Sequence, residues 1–243
     1  GTVEEMYWVG GEPLMYDVHW WTLEEMLRNG SAKNCYLRYN SNLSRVQFGS
    51  KNLYDYLPHF KNWMMCASID GTGDIVEYIR TGIKWDRWLE NFKAGVALPH
   101  GQDRMVLDLT ITAPGMFALK DLFDLSCELN VKIETKITFA FHPDIMWSPT
   151  SWPREVLNEV CDDILEYIRP RANEWKHGTL IANLEALKYT RKTHQEEWPN
   201  TYQQAAKNGK GWVERLEQIR DAKLTLRDIY SRNNKLLEWW DNI

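Results

Sequence analysis

Apolar residues along the chain fall into short continuous runs separated by stretches of helical periodicity. Met6–Val9, Cys35–Tyr39, Trp63–Ile69, Met105–Thr112 and Ile137–Phe141 read as strands. Their continuity is that of strands covered on both faces, as in a parallel sheet. Between them, Thr22-Leu23-Glu24-Glu25 reads as a capping box that opens a helix, with Leu23, Met26 and Leu27 on its apolar face and Gly30 as its stop. A short helix is expected over about Asn52 to Phe60. A longer one runs from Ile75 to Gly95, broken at Gly82, and an amphipathic one covers Met116 to Leu129. Strands alternating with helices predict a parallel sheet with right-handed crossovers. After Phe141 the prolines at 143, 149 and 153 mark a connection. The stripe Val156, Leu157, Val160, Cys161, Ile164, Leu165 and Ile168 predicts a strong helix. Leu180, Leu184 and Leu187 predict another, and Val213 to Trp240 predicts more than one. The expected division is an α/β part over residues 1–142 and a helical extension over 143–243.

Composition narrows the function classes. An apolar fraction of 44% in 243 residues suffices for a packed core. The net charge of −5, with no long basic run and no basic domain, disfavours a duplex-DNA binder and shows no clear nucleic-acid surface. No stretch has the length and apolarity of a membrane span. The four cysteines, Cys35, Cys66, Cys127 and Cys161, have no metal-ligand spacing and lie in apolar runs, which predicts buried, reduced thiols and a cytoplasmic protein. The thirteen tryptophans sit mostly beside helical apolar positions and are expected in the core first and in ligand stacking second.

In parallel α/β folds, sites form at the carboxyl ends of strands. Those ends collect Gly10-Gly11-Glu12-Pro13, Asn40-Ser41-Asn42, Ser68 and Asp70, Thr112, and His142. The two glycines permit a sharp turn, and Pro13 biases Glu12 towards an extended backbone. Glu12 can accept from an ammonium, and Ser68 and Asp70 from hydroxyls, while the Asn40 and Asn42 amides donate and accept. Arg80 can grip a carboxylate with two parallel hydrogen bonds. The set suits a zwitterionic, ribose-bearing ligand. Each residue also has an ordinary reading: Ser, Asp and Asn as turn formers that bond their own backbone, Arg80 as a helix-surface arginine. The run Ser68-Ile69-Asp70-Gly71-Thr72 has Ser where a phosphatase of the Asp-x-Asp-Gly-Thr type carries its nucleophile, which removes that chemistry.

Taken in order, these stretches resemble the radical S-adenosylmethionine enzymes over about residues 4 to 142. Gly10-Gly11-Glu12-Pro13 looks like the motif that ends the second barrel strand and holds the cofactor's methionyl amine. Asn40-Ser41-Asn42 looks like the third-strand motif, and Ser68-Ile69-Asp70-Gly71 like the fourth-strand motif for ribose and carboxylate. Glu77-Tyr78-Ile79-Arg80-x-Gly82 is similar to the following helix in the peptide-modifying subgroup, where the arginine meets the cofactor's carboxylate. Leu109-Thr110-Ile111 looks like the fifth strand, with Ile111 as the apolar residue against adenine. The resemblance implies an incomplete (β/α)6 partial barrel without its first βα unit, binding S-adenosylmethionine. It also implies a [4Fe–4S] cluster, an electron donor for it, and a substrate that the subgroup suggests is a peptide, with small molecules and RNA left open. The cluster motif C-x-x-x-C-x-x-C is absent from these residues. The chain opens on Gly1, and the expectation is a preceding segment that carries the motif. Only Cys161 lies in the helical part, so an auxiliary cluster is not expected there. The rival reading is a non-catalytic barrel module that binds a nucleotide-like ligand or a protein partner.

Overall fold

The computed structural model describes residues 3–137, 145–220 and 222–243. The strands are β1 (Glu5–Trp8), β2 (Tyr36–Ser41), β3 (Gln47–Phe48), β4 (Lys51–Asn52), β5 (Asn62–Ile69), β6 (Met105–Ile111) and β7 (Lys132–Ile137). The helices of the α/β part are α1 (Asp17–Arg28), α2 (Leu53–Tyr56), α3 (Gly73–Ile79), α4 (Trp85–Val96), α5 (Gly101–Arg104) and α6 (Leu119–Leu129). Helices α7 (Arg154–Ile168), α8 (Glu174–Tyr189), α9 (His194–Glu197), α10 (Tyr202–Arg220), α11 (Leu226–Tyr230) and α12 (Asn234–Asp241) follow. Five strands form one mostly parallel, unclosed sheet in the order β1-β2-β5-β6-β7, and β3 and β4 form a separate antiparallel pair. The order follows the chain, each strand lying beside the previous one after a connection that carries helix. Among the described residues no helix is long and apolar enough to cross a membrane.

Two compact units divide the chain. The first holds residues 1–69, 83–108 and 126–133, and the second holds 70–82, 109–125 and 134–243. The first unit is built on β1, β2 and β5. Met6 pairs with Leu37 and Leu37 with Trp63; Trp8 pairs with Tyr39 and Tyr39 with Met65. Leu37, Tyr39, Trp63 and Met65 are buried with Trp20, Leu23, Trp88 and Phe92. Trp20 donates its indole N–H to the Leu14 carbonyl at 3.0 Å, which satisfies the polar atom of a fully buried ring. In the second unit α7 and α8 pack as a pair, and an aromatic cluster closes the C-terminal helices. There the Trp152 N–H reaches the Tyr230 hydroxyl at 3.1 Å, with the rings edge to face at 5.7 Å. Trp240 lies edge-on to the same tyrosine at 5.4 Å. The expectation of tryptophans in the core holds for Trp20, Trp63, Trp88, Trp152 and Trp240, while Trp21, Trp175, Trp198 and Trp212 are exposed.

Several expectations are corrected. Thr22 is no N-cap: α1 begins at Asp17, and the Thr22 hydroxyl donates to the Val18 carbonyl at 2.6 Å from inside the helix. The helix starts early because Pro13 opens a short 3-10 turn that leads straight into it, and it ends at Asn29 before Gly30 at φ +78°. Among the described residues the last strand is Lys132–Ile137, which the apolar-run reading did not include, and it reaches Ile137, where the expected strand begins. Its polar, partly exposed residues hide it from a search for apolar runs, and 138–141 and His142 lie outside the described residues. Trp63–Ile69 is not covered on both faces: burial alternates along β5, leaving Met64, Cys66 and Ser68 half-buried. Cys127 is exposed, whereas Cys35 and Cys161 are buried, and none of the four cysteines is in a disulfide. Burial pushes the Cys161 thiol up to about 12 and raises Cys35 as well.

Candidate functional site

The turn after β1 is set by backbone chemistry. Gly10 and Gly11 hold φ +84° and +55°, a region that side chains rarely adopt. A Cβ on Gly11 would also stand 3.1 Å from the Tyr16 hydroxyl. Glu12 then takes the extended backbone expected before proline, at φ −125° and ψ 102°. Pro13 is buried and opens the 3-10 turn, whose Leu14 N–H lies 3.4 Å from Glu12 Oε1.

The Glu12 side chain is 7% exposed and bound on both oxygens. Oε1 accepts the Ser41 hydroxyl at 2.7 Å, and Oε2 accepts the Asn42 backbone N–H at 2.8 Å. With Leu14 these bonds take three of roughly four acceptor positions of a carboxylate. Glu12 therefore ties the end of β2 to the turn after β1. The Asn42 side chain is spent on the Ser44 N–H at 2.9 Å.

The half-open face of the same three strands carries a polar row that the apolar runs conceal. Pairing places Tyr7 beside Arg38 and Arg38 beside Met64, and Asn40 beside Cys66. These residues alternate with the buried ones and so share the opposite face. The Tyr7 hydroxyl donates to Asn40 Oδ1 at 2.7 Å, and Asn40 Nδ2 donates to Asp108 Oδ2 at 3.2 Å. Arg38 lies over the Tyr7 ring at 4.9 Å and pairs with Glu5 at 3.2 Å. Ser68 is half-buried on this face of β5. Tyr7, Arg38 and Asp108 were missed because each sits inside an apolar run; a polar or amphipathic residue set between apolar neighbours on either side is the signal that marks them.

Beneath Trp8 the first unit buries His19 against aromatic rings. His19 Nε2 is 3.0 Å from the Tyr39 hydroxyl, and Trp8 and Trp20 lie edge-on at 4.9 Å. Burial pushes the His19 pKa down to about 4, so the ring is neutral at neutral pH. Burial likewise raises the Tyr39 pKa.

In the second unit Asp70 is 6% exposed and receives two charge-assisted or backbone donors. Arg80 Nε reaches its Oδ2 at 2.7 Å, and the Thr110 N–H reaches its Oδ1 at 3.0 Å. Arg80 is thus a partner of Asp70 rather than a loose surface arginine. Gly115 is required beside them, since a Cβ there would stand 2.4 Å from the Asp70 carbonyl oxygen. Ile111 is fully buried in β6, and Thr112 is buried with its hydroxyl accepting the Gly115 N–H at 3.1 Å. Among the described residues no group of three His, Cys, Asp or Glu is placed to hold a metal ion.

Comparison with protein-family models, with curated proteins and with solved structures returned no match for this chain.

Proposed function

We propose that this chain is the S-adenosylmethionine-binding part of a radical S-adenosylmethionine enzyme, an incomplete (β/α)6 barrel completed by a preceding βα unit. The observation that carries the reading is the sequential order of a mostly parallel sheet, with Gly10-Gly11-Glu12-Pro13 turning sharply at the carboxyl end of its edge strand. The later stretches of the resemblance also fall at strand ends or on the helix after β5: Asn40 and Asn42 at the end of β2, Ser68 and Asp70 at the end of β5, and Arg80 at the end of α3.

The polar residues fit the cofactor's functional groups. In this reading the backbone of Gly10 and Gly11 and the fourth acceptor position of Glu12 take the amine. Arg80, steered by Asp70, takes the carboxylate, and Ser68 takes a ribose hydroxyl. The cofactor supplies the radical chemistry, and the chain binds and orients it. The cluster does not fit the residues present. Its thiolates must converge, whereas Cys35 and Cys161 are buried in separate elements and no ligating group of three exists among the described residues. No step through the cluster is derived for this chain.

The test is reconstitution with iron and sulfide. The 243-residue chain is expected to hold no stable [4Fe–4S] cluster and to form no 5′-deoxyadenosine. The same chain joined to a βα unit bearing C-x-x-x-C-x-x-C is expected to do both. A joined chain that holds the cluster yet leaves S-adenosylmethionine intact would contradict the reading. A second reading, a non-catalytic module that binds a nucleotide-like ligand or a protein partner, is favoured by one observation: Glu12 is already bonded three times within the chain.

A further inference from the structure

A cavity of about 600 Å³ opens in the second unit, lined by Ile145, α9, the loop after it and the first turns of α10. Its volume is that of a small-molecule pocket. Its body is apolar and aromatic: Ile145, Ala205, the Trp198 ring and the ring of Tyr202. The Tyr202 hydroxyl is spent on the Ser151 carbonyl at 2.6 Å, so this residue presents its ring to the cavity and not its hydroxyl. Trp198 is 39% exposed and stacks on buried His194 at 5.3 Å with the planes 22° apart, which fixes the indole as a flat wall.

The cavity also carries carboxamides. Asn200, Gln204 and Asn208 belong to the same lining, and Gln204 Nε2 donates to Asn208 Oδ1 at 2.8 Å one helical turn away. Carboxamides both donate and accept, the pattern a peptide bond presents in return. Among the described residues no lysine, arginine or carboxylate lines the cavity. The walls are held from behind. Thr193 and Glu196 close a capping box at the start of α9, and Arg154 grips Glu196 at 3.0 and 2.6 Å. Such pre-organisation lowers the entropic cost of binding.

We infer that this cavity binds an uncharged aromatic side chain of a peptide, its ring against Trp198 and its backbone amides against Gln204 and Asn208. A nucleotide would bring a phosphate, for which the described lining offers no lysine or arginine. The site lies wholly within the second unit and uses none of the residues assigned to S-adenosylmethionine, so its test is independent of that reading.

The experiment is saturation-transfer NMR and calorimetry on the full chain, without iron or S-adenosylmethionine. The probes are N-acetyl-tyrosinamide and N-acetyl-tryptophanamide, with N-acetyl-alaninamide and adenosine as controls. The aromatic amides are expected to bind at about millimolar affinity and at least about tenfold more tightly than either control, since the ring supplies most of the contact. Ala205→Trp, which fills the cavity, and Trp198→Ala, which removes the wall, are each expected to weaken binding by about tenfold or more, with near-ultraviolet circular dichroism confirming the fold. Equal binding of the alanine amide, tighter binding of adenosine, or undiminished binding to a folded Ala205→Trp chain would overturn the assignment.

Discussion

The carboxylate of Glu12 accepts the hydroxyl of Ser41 at 2.7 Å, joining the turn after β1 to the last residue of β2. Both side chains are buried, and the Ser41 oxygen also accepts the Leu43 N–H at 3.0 Å. Removing the carboxylate leaves a buried hydroxyl and the Asn42 N–H without acceptors. Glu12→Ala is expected to destabilise the chain by about 3 kcal/mol, and Ser41→Ala by about 1–2 kcal/mol. Urea unfolding measures both. A loss under about 0.5 kcal/mol for Glu12→Ala would mean that water replaces these bonds and that the glutamate is held for its ligand alone.

Stability should also fall in mild acid through His19. Its folded pKa of about 4 lies below the 6.5 of the exposed side chain. Between those values the unfolded chain takes up a proton that the folded chain refuses. The contribution is therefore complete above about pH 6.5 and declines as pH falls towards 4, by about 3 kcal/mol in all. His177, also lowered by burial, adds in the same direction. His19→Gln keeps a polar partner for the Tyr39 hydroxyl while removing the titration. Its unfolding free energy should vary less between pH 6.5 and 4 than that of the parent chain; identical pH profiles would show that His19 protonates in place.

The fold was legible where packing follows pattern. The apolar runs of β1, β2, β5 and β6 mark their strands, and the break at Gly82 separates α3 from α4 because glycine at φ +95° cannot continue a helix. Strand β7 was not read over Lys132–Lys136 because its KIETKI sequence alternates charged residues with isoleucine and threonine and forms no apolar run. The 47–52 hairpin went unread, since two-residue strands carry no period. At the site, the strand-end positions of Glu12 and Asp70 were legible from glycine and proline, whereas the Asp70–Arg80 bond was not, since Arg80 was read towards a ligand's carboxylate. The row Tyr7–Asn40–Asp108 was legible only in part. Asn40 ends a strand, whereas the partners that orient it lie on other strands and become visible only once the register is known.

Strand β1 lies at one end of the described sheet, and aromatic and apolar surface is exposed on it and just beyond it: Tyr7 is 46% and Val9 58% accessible. An unpaired apolar edge templates association between chains. Val9→Lys is expected to raise the concentration at which the chain stays monomeric, without altering its unfolding midpoint. Analytical ultracentrifugation across a concentration series measures this. Unchanged self-association would place the sticky surface elsewhere.

The most direct measurement is S-adenosylmethionine binding to the chain itself, followed by calorimetry or equilibrium dialysis for the parent, Arg80→Ala and Arg80→Lys. Arg80 donates to Asp70 through Nε, which leaves the far side of its guanidinium for a carboxylate. The account predicts saturable binding by the parent, a loss of about tenfold or more in Arg80→Ala, and partial recovery in Arg80→Lys, whose single ammonium restores charge but not the two-pronged geometry. Absence of binding by a folded parent chain at millimolar cofactor, or equal binding by all three, would contradict it.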